Sequence, residues 1–393
     1  MLYLDHAATT PLRAEAREAM EPYAGDVFGN PSGVHDVSRR AKNALEEARE
    51  RAAELLGAQP GEVVFTAGGT EADNAALKGR ALQDGRGGVV TTAVEHEAVL
   101  ESARFLASLG CPVSVVGSDP LGRVDPEEVT AAVTPETSVV SVMAANNETG
   151  ARQPVGEVAE AVKRVRQDVA VHTDAVQAFV SEGLHVDELG VDLLSLAAHK
   201  FGGPKGVGLL YVRRGVQLEP VLHGGGQELG RRSGTHNLMG IAGMVAAMEA
   251  TVAQRGGFRN RVEEARRRFE QRLQAAFPEL VVNGPVDDRL VQHSHLRIPG
   301  VRSETLLVRL DRAGLAASAG SACQSGAARV SHVLAAMGMP PAHALECLRF
   351  TFGWTTRAED GDRAAQLVTE AVHPLKGGAG EGVAPSAMKA QVR

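Results

Sequence analysis

The chain has 393 residues, of which 44% are hydrophobic and 23% charged, the composition of a folded protein with more than one domain. Its net charge of -7, with acids and bases interspersed, excludes a basic stripe for nucleic acid. There is no basic leader and no run of about 18 apolar residues, so we expect no signal peptide, no membrane contact and a cytoplasmic location.

The cysteines are few and scattered. Cys111, Cys323 and Cys347 are the three in the chain, and no two of them form a Cys-x-x-Cys pair. We therefore expect no disulfide framework and no bound metal, and at least one free thiol in a reducing compartment.

The first long helix is predicted at residues 36–56, where apolar residues recur at helical spacing and Gly57 supplies the stop. From there to about residue 212, short β-branched runs alternate with helical patterns, which is typical of a mostly parallel sheet covered on both faces. Because a short loop joins the last two runs, we expect them to be antiparallel neighbours. The seven runs are 62–66, 88–92, 112–116, 137–143, 169–173, 191–196 and 206–212.

The second half of the chain predicts a different organisation. A long helix is expected from about 238 to 277, with a break near Gly256 and Gly257. Strands at 295–298 and 348–352 then mix with helices, which is typical of an α+β domain. The α/β fold therefore divides into an N-terminal segment joining the small domain (1–15), a large domain (16–258), a small α+β domain (259–376) and a mobile, glycine-rich tail (377–393).

The strongest chemical signal is the loop from 198 to 206, which follows a buried strand and contains His199, Lys200 and Lys205. A lysine at the end of a core strand is well placed to form a Schiff base, because partial burial lowers the pKa of its ammonium group. The alternative is a surface lysine in a polar loop, and Lys205 is the natural competitor.

Asp174 and Gln177 follow the preceding strand. A carboxylate there could keep a cofactor ring nitrogen protonated, and the glutamine could donate to a ring oxygen. Asp174 could equally cap the next helix.

A glycine-rich turn after the 62–66 strand contains Gly69 and Thr70. We expect Thr70 to be the N-cap of the next helix, supported by Asp73, and the helix N-terminus to form an anion site suited to a phosphate. A plain capped helix is the alternative.

Two further strands end in polar residues: His96 follows the 88–92 strand, and Asn146 and Asn147 follow the 137–143 strand. The histidine could stack on a flat cofactor and carry protons, or it could be structural. Because ligands of open α/β sheets bind beyond the carboxyl ends of the strands, these motifs together predict one site.

The C-terminal half supplies a thiol and a cation. Cys323 lies in a run of small residues, 318–328, which predicts an accessible, mobile segment, and an exposed thiolate can attack an electrophilic sulfur. Cys347 resembles an inert buried cysteine. Arg349 stands in an apolar strand, where its guanidinium needs either a ligand carboxylate or an intramolecular ion pair.

Taken in order, these motifs resemble the cysteine desulfurases of the class V aminotransferase family, which are fold-type I pyridoxal-phosphate (PLP) enzymes. The resemblance runs from Leu4 to about Leu375, and the long segment around Cys323 is similar to the NifS/IscS-like branch. The matching stretches are 5–11, 28–32, 69–71, 95–96, 146–148, 174–177, 199–200, 203–206, 223–226, 232–235 and 320–323.

The resemblance implies a role for each site residue. Lys200 would hold PLP as a Schiff base, Asp174 would pair with the pyridine nitrogen, Gln177 would contact the ring oxygen, and His96 would stack on the ring and assist proton transfer. Gly69, Thr70 and His199 would bind the phosphate, with Thr235 reaching it from the partner subunit of a homodimer. Arg349 and Asn147 would hold the substrate carboxylate, and Cys323 would be the nucleophile.

The implied reaction converts L-cysteine to L-alanine and a Cys323 persulfide. This sulfur would pass to an acceptor, an iron–sulfur scaffold or a sulfur carrier, for cluster assembly or tRNA thiolation. The alternatives are a PLP-dependent aminotransferase, a selenocysteine lyase, or an inactive homologue that acts as an assembly partner.

The chain departs from the family pattern in three places. Ala197 replaces a serine that usually bonds the phosphate, and Thr351 replaces a serine after the Arg-Phe pair. The C-terminal tail does not resemble a scaffold-binding tail.

Overall fold

The computed structural model describes residues 1–83, 85–320 and 330–377. Its strands are β1 (Leu2–Tyr3), β2 (Val63–Thr66), β3 (Gly88–Thr92), β4 (Val113–Val116), β5 (Thr137–Ser141), β6 (Ala170–Asp174), β7 (Leu193–Ala197), β8 (Gly208–Val212), β9 (Val281–Val282), β10 (His293–Arg297), β11 (Leu315–Ala316) and β12 (Cys347–Thr351). Its helices are α1 (Ala14–Ala24), α2 (Asp36–Leu56), α3 (Gly69–Gln83), α4 (Glu97–Ser108), α5 (Pro126–Ala131), α6 (Val155–Val165), α7 (Val186–Leu189), α8 (Leu238–Ala276), α9 (Ser303–Arg312), α10 (His332–Ala336), α11 (Pro341–Ala344) and α12 (Asp360–Gly377).

A seven-stranded sheet, in the order β2-β8-β7-β6-β5-β3-β4, forms the larger part of the fold. Each of the seven predicted runs overlaps one of its strands, with differences of at most two residues at the ends, so the predicted sheet is confirmed. β8 is antiparallel to β7, as expected, and also to β2, whereas the remaining pairs are parallel. β2 therefore runs in the same direction as β7, and the carboxyl ends of β2, β3, β5, β6 and β7 lie at one edge.

The apolar residues form separate clusters. Two clusters cover the seven-stranded sheet, and a third joins the C-terminal half of α8 to β10, β12, α9 and α12. The N-terminus belongs to this third cluster, because β1 pairs in parallel with β11 and Leu4 is fully buried there. The domain boundary at 258 falls inside α8 and stays a prediction.

Helix α8 is continuous, so the predicted break near Gly256 and Gly257 is wrong. Glycine costs about 1 kcal/mol in a helix interior but does not by itself break it. A Cβ at either position would meet nothing within 4 Å, so no close approach requires these glycines. The halves on either side bury apolar residues such as Met244 and Phe269 in different clusters, and this packing holds the helix together.

Helix α3 begins before the predicted cap. Gly68, at a φ of 153°, offers its carbonyl to Ala72 N (3.1 Å) and occupies the capping position, while Glu71 Oε2 accepts from Ala67 N (2.8 Å). Thr70 therefore lies within the first turn and is not the N-cap. The glycine is favoured here because other residues rarely adopt this φ.

None of the described helices is long and apolar enough to cross a lipid bilayer. The segment around Cys323 (321–329) and the predicted tail beyond residue 377 lie outside the described residues.

Candidate active site

A cavity of about 360 Å³ lies at the edge where the five strands end. It brings together motifs that are far apart in the sequence, as the pattern of strand ends predicted. Of the predicted site residues, those that line it are Gly69, Thr70, His96, Asn147, Asp174, Gln177, His199, Lys200 and Arg349. Thr235 does not line this cavity and is exposed to solvent. Cys323 lies outside the described residues.

Lys200 ends the short 3-10 turn that follows β7. Its Nζ donates hydrogen bonds to the carbonyl oxygens of Ala7 (2.6 Å) and Ala8 (2.9 Å), so the N-terminal segment fixes the position of the amine. The competing Lys205 is exposed and is not part of the cavity lining. Of the two lysines, Lys200 is therefore the one placed to react with a bound carbonyl compound.

Asp174 stands at the carboxyl end of β6 and is 6% exposed. Its Oδ1 accepts from Val176 N (2.9 Å), a local turn that fixes the carboxylate. Burial raises the pKa of Asp174, while the neighbouring His96 and Lys200 act in the opposite direction. Gln177, one turn further on, donates from Nε2 to Ala7 O (3.0 Å).

His96 caps helix α4, since its Nδ1 accepts from Ala98 N (3.1 Å). An accepting Nδ1 carries no proton, so the neutral ring has its proton on Nε2. Burial lowers the pKa of His96 in spite of the nearby Asp174, which favours this neutral form. The histidine is therefore both structural, as a cap, and part of the cavity wall.

The start of α3 forms the end of the cavity where an anion would bind. A Cβ on Gly69 would stand 3.0 Å from Val176 Cγ2 and 3.4 Å from Ala197 Cβ, so the glycine leaves the helix N-terminus accessible. His199 Nδ1 lies 3.1 Å from Thr9 Oγ1, and burial, with smaller effects of Lys200 and Lys205, lowers the pKa of His199 to about 4. Ala197 lines this region with a methyl group.

Arg349, on β12, is 2% exposed and holds a fixed orientation. Its Nη2 donates to Asp5 Oδ1 (2.9 Å) and its Nη1 to the Asn147 carbonyl (2.9 Å). Its Nε is buried and has no hydrogen-bond partner among the described residues. The intramolecular ion pair that the sequence left open is thus present, and the guanidinium still lines the cavity.

The comparisons with known proteins agree with this geometry. The family model "Aminotransferase class-V" matches residues 2–363. The chain is 41% identical over 377 residues to "Cysteine desulfurase IscS" of Dictyoglomus turgidum, covering 95% of both chains. Two solved structures are similar: a "NifS-like protein" (TM-score 0.88, 35% identity, 94% of this chain and 99% of that one) and "SspA in complex with cysteine" (TM-score 0.79, 33% identity, 90% and 99%).

The chain belongs to the NifS/IscS-like cysteine desulfurase branch of the class V aminotransferases. In this class V aminotransferase the N-terminal segment is part of the site, which local sequence patterns did not predict. The carbonyls of Ala7 and Ala8 receive Lys200, and Asp5 pairs with Arg349. Only the match of residues 5–11 to the family pattern could have indicated them.

Two more residues of the cavity were missed. Asp73, expected to support the α3 cap, instead lies 1% exposed in the cavity lining. His332 reaches the cavity from α10 and donates from Nε2 to Glu95 O (2.9 Å). Neither stands at a strand end, so the rule that located the other motifs could not locate these.

Proposed function

We propose that this protein is a PLP-dependent cysteine desulfurase that converts L-cysteine to L-alanine and transfers the sulfur to Cys323 as a persulfide. One observation carries the proposal. Lys200, Asp174 and Arg349 line a single cavity in a chain that shares 41% identity with a cysteine desulfurase over 95% of its length. A lysine for the aldehyde, a carboxylate for the ring nitrogen and a guanidinium for the substrate carboxylate are what such an enzyme needs.

The donor set of the cavity fits PLP. Lys200 would hold the aldehyde carbon, Asp174 the ring nitrogen, Gln177 the ring oxygen and His96 the ring face. The first turn of α3 (Gly69 and Thr70) and His199 would receive the phosphate, because the N–H groups of a helix N-terminus bind anions. When bound, the protonated pyridine ring accepts the electrons released as the substrate loses its α-proton.

The remaining steps belong to the side chains. Arg349 and Asn147 bind the substrate carboxylate, and Lys200 Nζ takes the proton from the substrate Cα. The Cys323 thiolate attacks the substrate Sγ, forming an S–S bond as the Cβ–Sγ bond breaks. The electron pair stays on Cβ, which then gains a proton, so alanine leaves and the sulfane sulfur remains on Cys323.

The test measures sulfide and alanine together, from PLP-loaded protein given L-cysteine and a thiol reductant. Equal yields from the wild type that vanish in Cys323→Ala support the proposal. Cys111→Ala is the matched control, because that thiol is 4% exposed and burial raises its pKa. Alanine that requires pyruvate and comes without sulfide would indicate an aminotransferase. Desulfuration at full rate by Cys323→Ala would indicate a lyase without a persulfide.

Lys200→Ala tests the cofactor assignment separately. This variant should lose the yellow, borohydride-reducible form of the cofactor, whereas Lys205→Ala, which changes an exposed lysine of the same loop, should keep it. A colourless wild-type protein that gains no colour with added PLP would instead support an inactive homologue.

We further propose a homodimer in which Thr235 contacts the phosphate in the partner's site. The exposure of Thr235 on a well-anchored loop, outside its own cavity, supports this. A heterodimer of one Lys200→Ala and one Thr235→Ala subunit provides the test. If Thr235 acts across subunits, both substitutions affect the same site, and the second site of the heterodimer keeps the PLP affinity of the wild type. If it acts within its own subunit, neither site is intact.

The persulfide sulfur would leave on an acceptor protein, an iron–sulfur scaffold or a sulfur carrier for tRNA thiolation, with no direct contact to nucleic acid. Free, buried Cys111 and Cys347 support a reducing compartment, for which we propose the cytoplasm.

A further inference from the structure

The site contains a second carboxylate that the proposed mechanism does not use. Asp73 follows Thr70 by one turn of α3, is 1% exposed and lines the cavity. Asp73, Asp174 and His96 each place one oxygen or nitrogen atom within 4.8 Å of the others. Two carboxylates this close in a buried site repel each other when both are ionised, so before the cofactor binds the pair holds one proton.

The surroundings decide which carboxyl group holds that proton. Asp174 accepts the Val176 N–H bond and lies near His96 and Lys200, which favour its ionised form. Burial and the charge of Asp174 raise the pKa of Asp73 well above its usual value, against a smaller opposing effect of the Ser195 hydroxyl. Asp73 is therefore the neutral member of the pair.

The side of Asp73 away from the cavity is closed. Its Oδ1 has no hydrogen-bond partner among the described residues and lies 3.6 Å from His172 Nε2. Burial lowers the pKa of His172 to about 3, so this ring is neutral and cannot take up the proton. His172 is itself held between the hydroxyls of Ser141 (2.8 Å) and Ser195 (3.0 Å), and all three residues are fully buried. Of the two groups within 4.8 Å, His96 accepts from Ala98 N at Nδ1 and already carries its proton on Nε2, so Asp174 is the one that can take the proton of Asp73.

We propose that Asp73 is the proton store of the cofactor site, an inference that rests on the proposed placement of the PLP ring nitrogen against Asp174. When the cofactor enters with an unprotonated ring nitrogen, Asp174 takes the proton of Asp73 and gives it to that nitrogen. Before transfer the charges are 0 on Asp73, -1 on Asp174 and 0 on the nitrogen. Afterwards they are -1, -1 and +1, so the site keeps its net charge of -1 and takes no proton from solvent. The new positive charge stabilises the second carboxylate.

The experiment measures the number of protons that the protein takes up when it binds the ligand, and it does not depend on enzyme activity. Apoenzyme is titrated calorimetrically with pyridoxine 5′-phosphate, which has the ring nitrogen and phosphate but no aldehyde, so no Schiff-base proton enters the count. Measuring in two buffers of different ionisation enthalpy gives the protons taken up on binding. The pH series spans the titration of the ring nitrogen of the free ligand.

Asp73→Asn has the same shape as the neutral acid and has no proton to give. Where the free ligand is unprotonated, this variant should take up more protons than the wild type, by a difference approaching one per site. Asp73→Ser, smaller and equally unable to ionise, should show the same excess, so a folding defect in one variant does not decide the outcome. Equal uptake by wild type and variants throughout the series would overturn the proposal.

Asp174→Asn separates this inference from the proposed function. If its affinity for pyridoxine 5′-phosphate equals that of the wild type, the ring nitrogen does not lie against Asp174 and the proposed cofactor placement fails. If its affinity falls while the Asp73 variants match the wild-type proton count, the cofactor placement stands and only the proton store is wrong.

Discussion

Glu228 anchors the loop that carries Thr235. Its carboxylate accepts hydrogen bonds from Arg49 Nη1 (2.7 Å), Arg49 Nη2 (2.9 Å) and Phe65 N (3.0 Å), and His236 Nε2 lies 2.8 Å from Oε1. The residue is 5% exposed and has a φ of 50°, a conformation that non-glycine residues adopt only when their surroundings hold them there. Burial alone would raise the pKa of Glu228, but His236 and Arg49 lower it to about 2.

Glu228→Gln should destabilise the protein by about 3–5 kcal/mol, the usual cost of leaving one member of a buried ion pair without its partner. The amide has one acceptor oxygen where the carboxylate has two, and its NH₂ group faces groups that are themselves donors. Arg49 then keeps the Val63 carbonyl (2.7 Å) and, as its remaining ion-pair partner among the described residues, Glu46, which is half exposed. The measurement is the free energy of unfolding from urea titration.

Glu249→Gln is the matched control for this loss. It breaks an ion pair with Arg51 whose side chains are 56% and 36% exposed, so its cost should stay below about 1 kcal/mol. The folded-state pKa of Glu228 lies below its ordinary value of 4.5, so its contribution is present at neutral pH and is lost as the pH falls from 4.5 toward 2. A loss for Glu228→Gln no larger than that of the control would refute the reasoning.

Three further changes have defined outcomes. Gly361→Ala would place a Cβ 1.9 Å from the Ala265 carbonyl and should lower the free energy of unfolding, measured in urea, by about 1–3 kcal/mol. Its control, Gly256→Ala, places a Cβ that meets nothing within 4 Å and should raise the free energy of unfolding by about 0.5–1 kcal/mol, so equal effects of the two variants would contradict the packing argument. Ala197→Ser adds a donor beside the helix N-terminus and should tighten PLP binding by about 2–12-fold, equivalent to about 0.5–1.5 kcal/mol; unchanged affinity by fluorescence titration would contradict it. Burial raises the pKa of Glu95 to about 8, above its unfolded value, so the stability that Glu95 contributes is greatest at acid pH and is lost as the pH rises through about 8. The melting temperature of Glu95→Gln should therefore rise relative to that of the wild type as the pH increases, and parallel pH profiles of the two melting temperatures would contradict this.

The sequence by itself determined the seven strands of the large sheet, helix α2 and the edge of the sheet where the site lies. These features can be read from short stretches of sequence, because β-branched runs mark strands and helical spacing of apolar residues marks helices. The position of the site follows from one further rule, that ligands of open α/β sheets bind beyond the carboxyl ends of the strands. Lys200, Asp174 and His96 were located in this way. Local chemistry suggested their roles, the family resemblance specified them, and they remain predictions.

The tertiary structure alone decided which distant groups contact this edge. The hydrogen bond from Lys200 to Ala7 spans 193 residues and the pair of Arg349 with Asp5 spans 344, separations over which no local pattern carries information. The same holds for Asp73: the helix pattern places it near the start of α3, but only the packing of α3 beside β6 turns its carboxyl group toward Asp174. Burial and the neighbouring charge of Asp174, which raise the pKa of Asp73 well above its usual value, are set by packing rather than by sequence position.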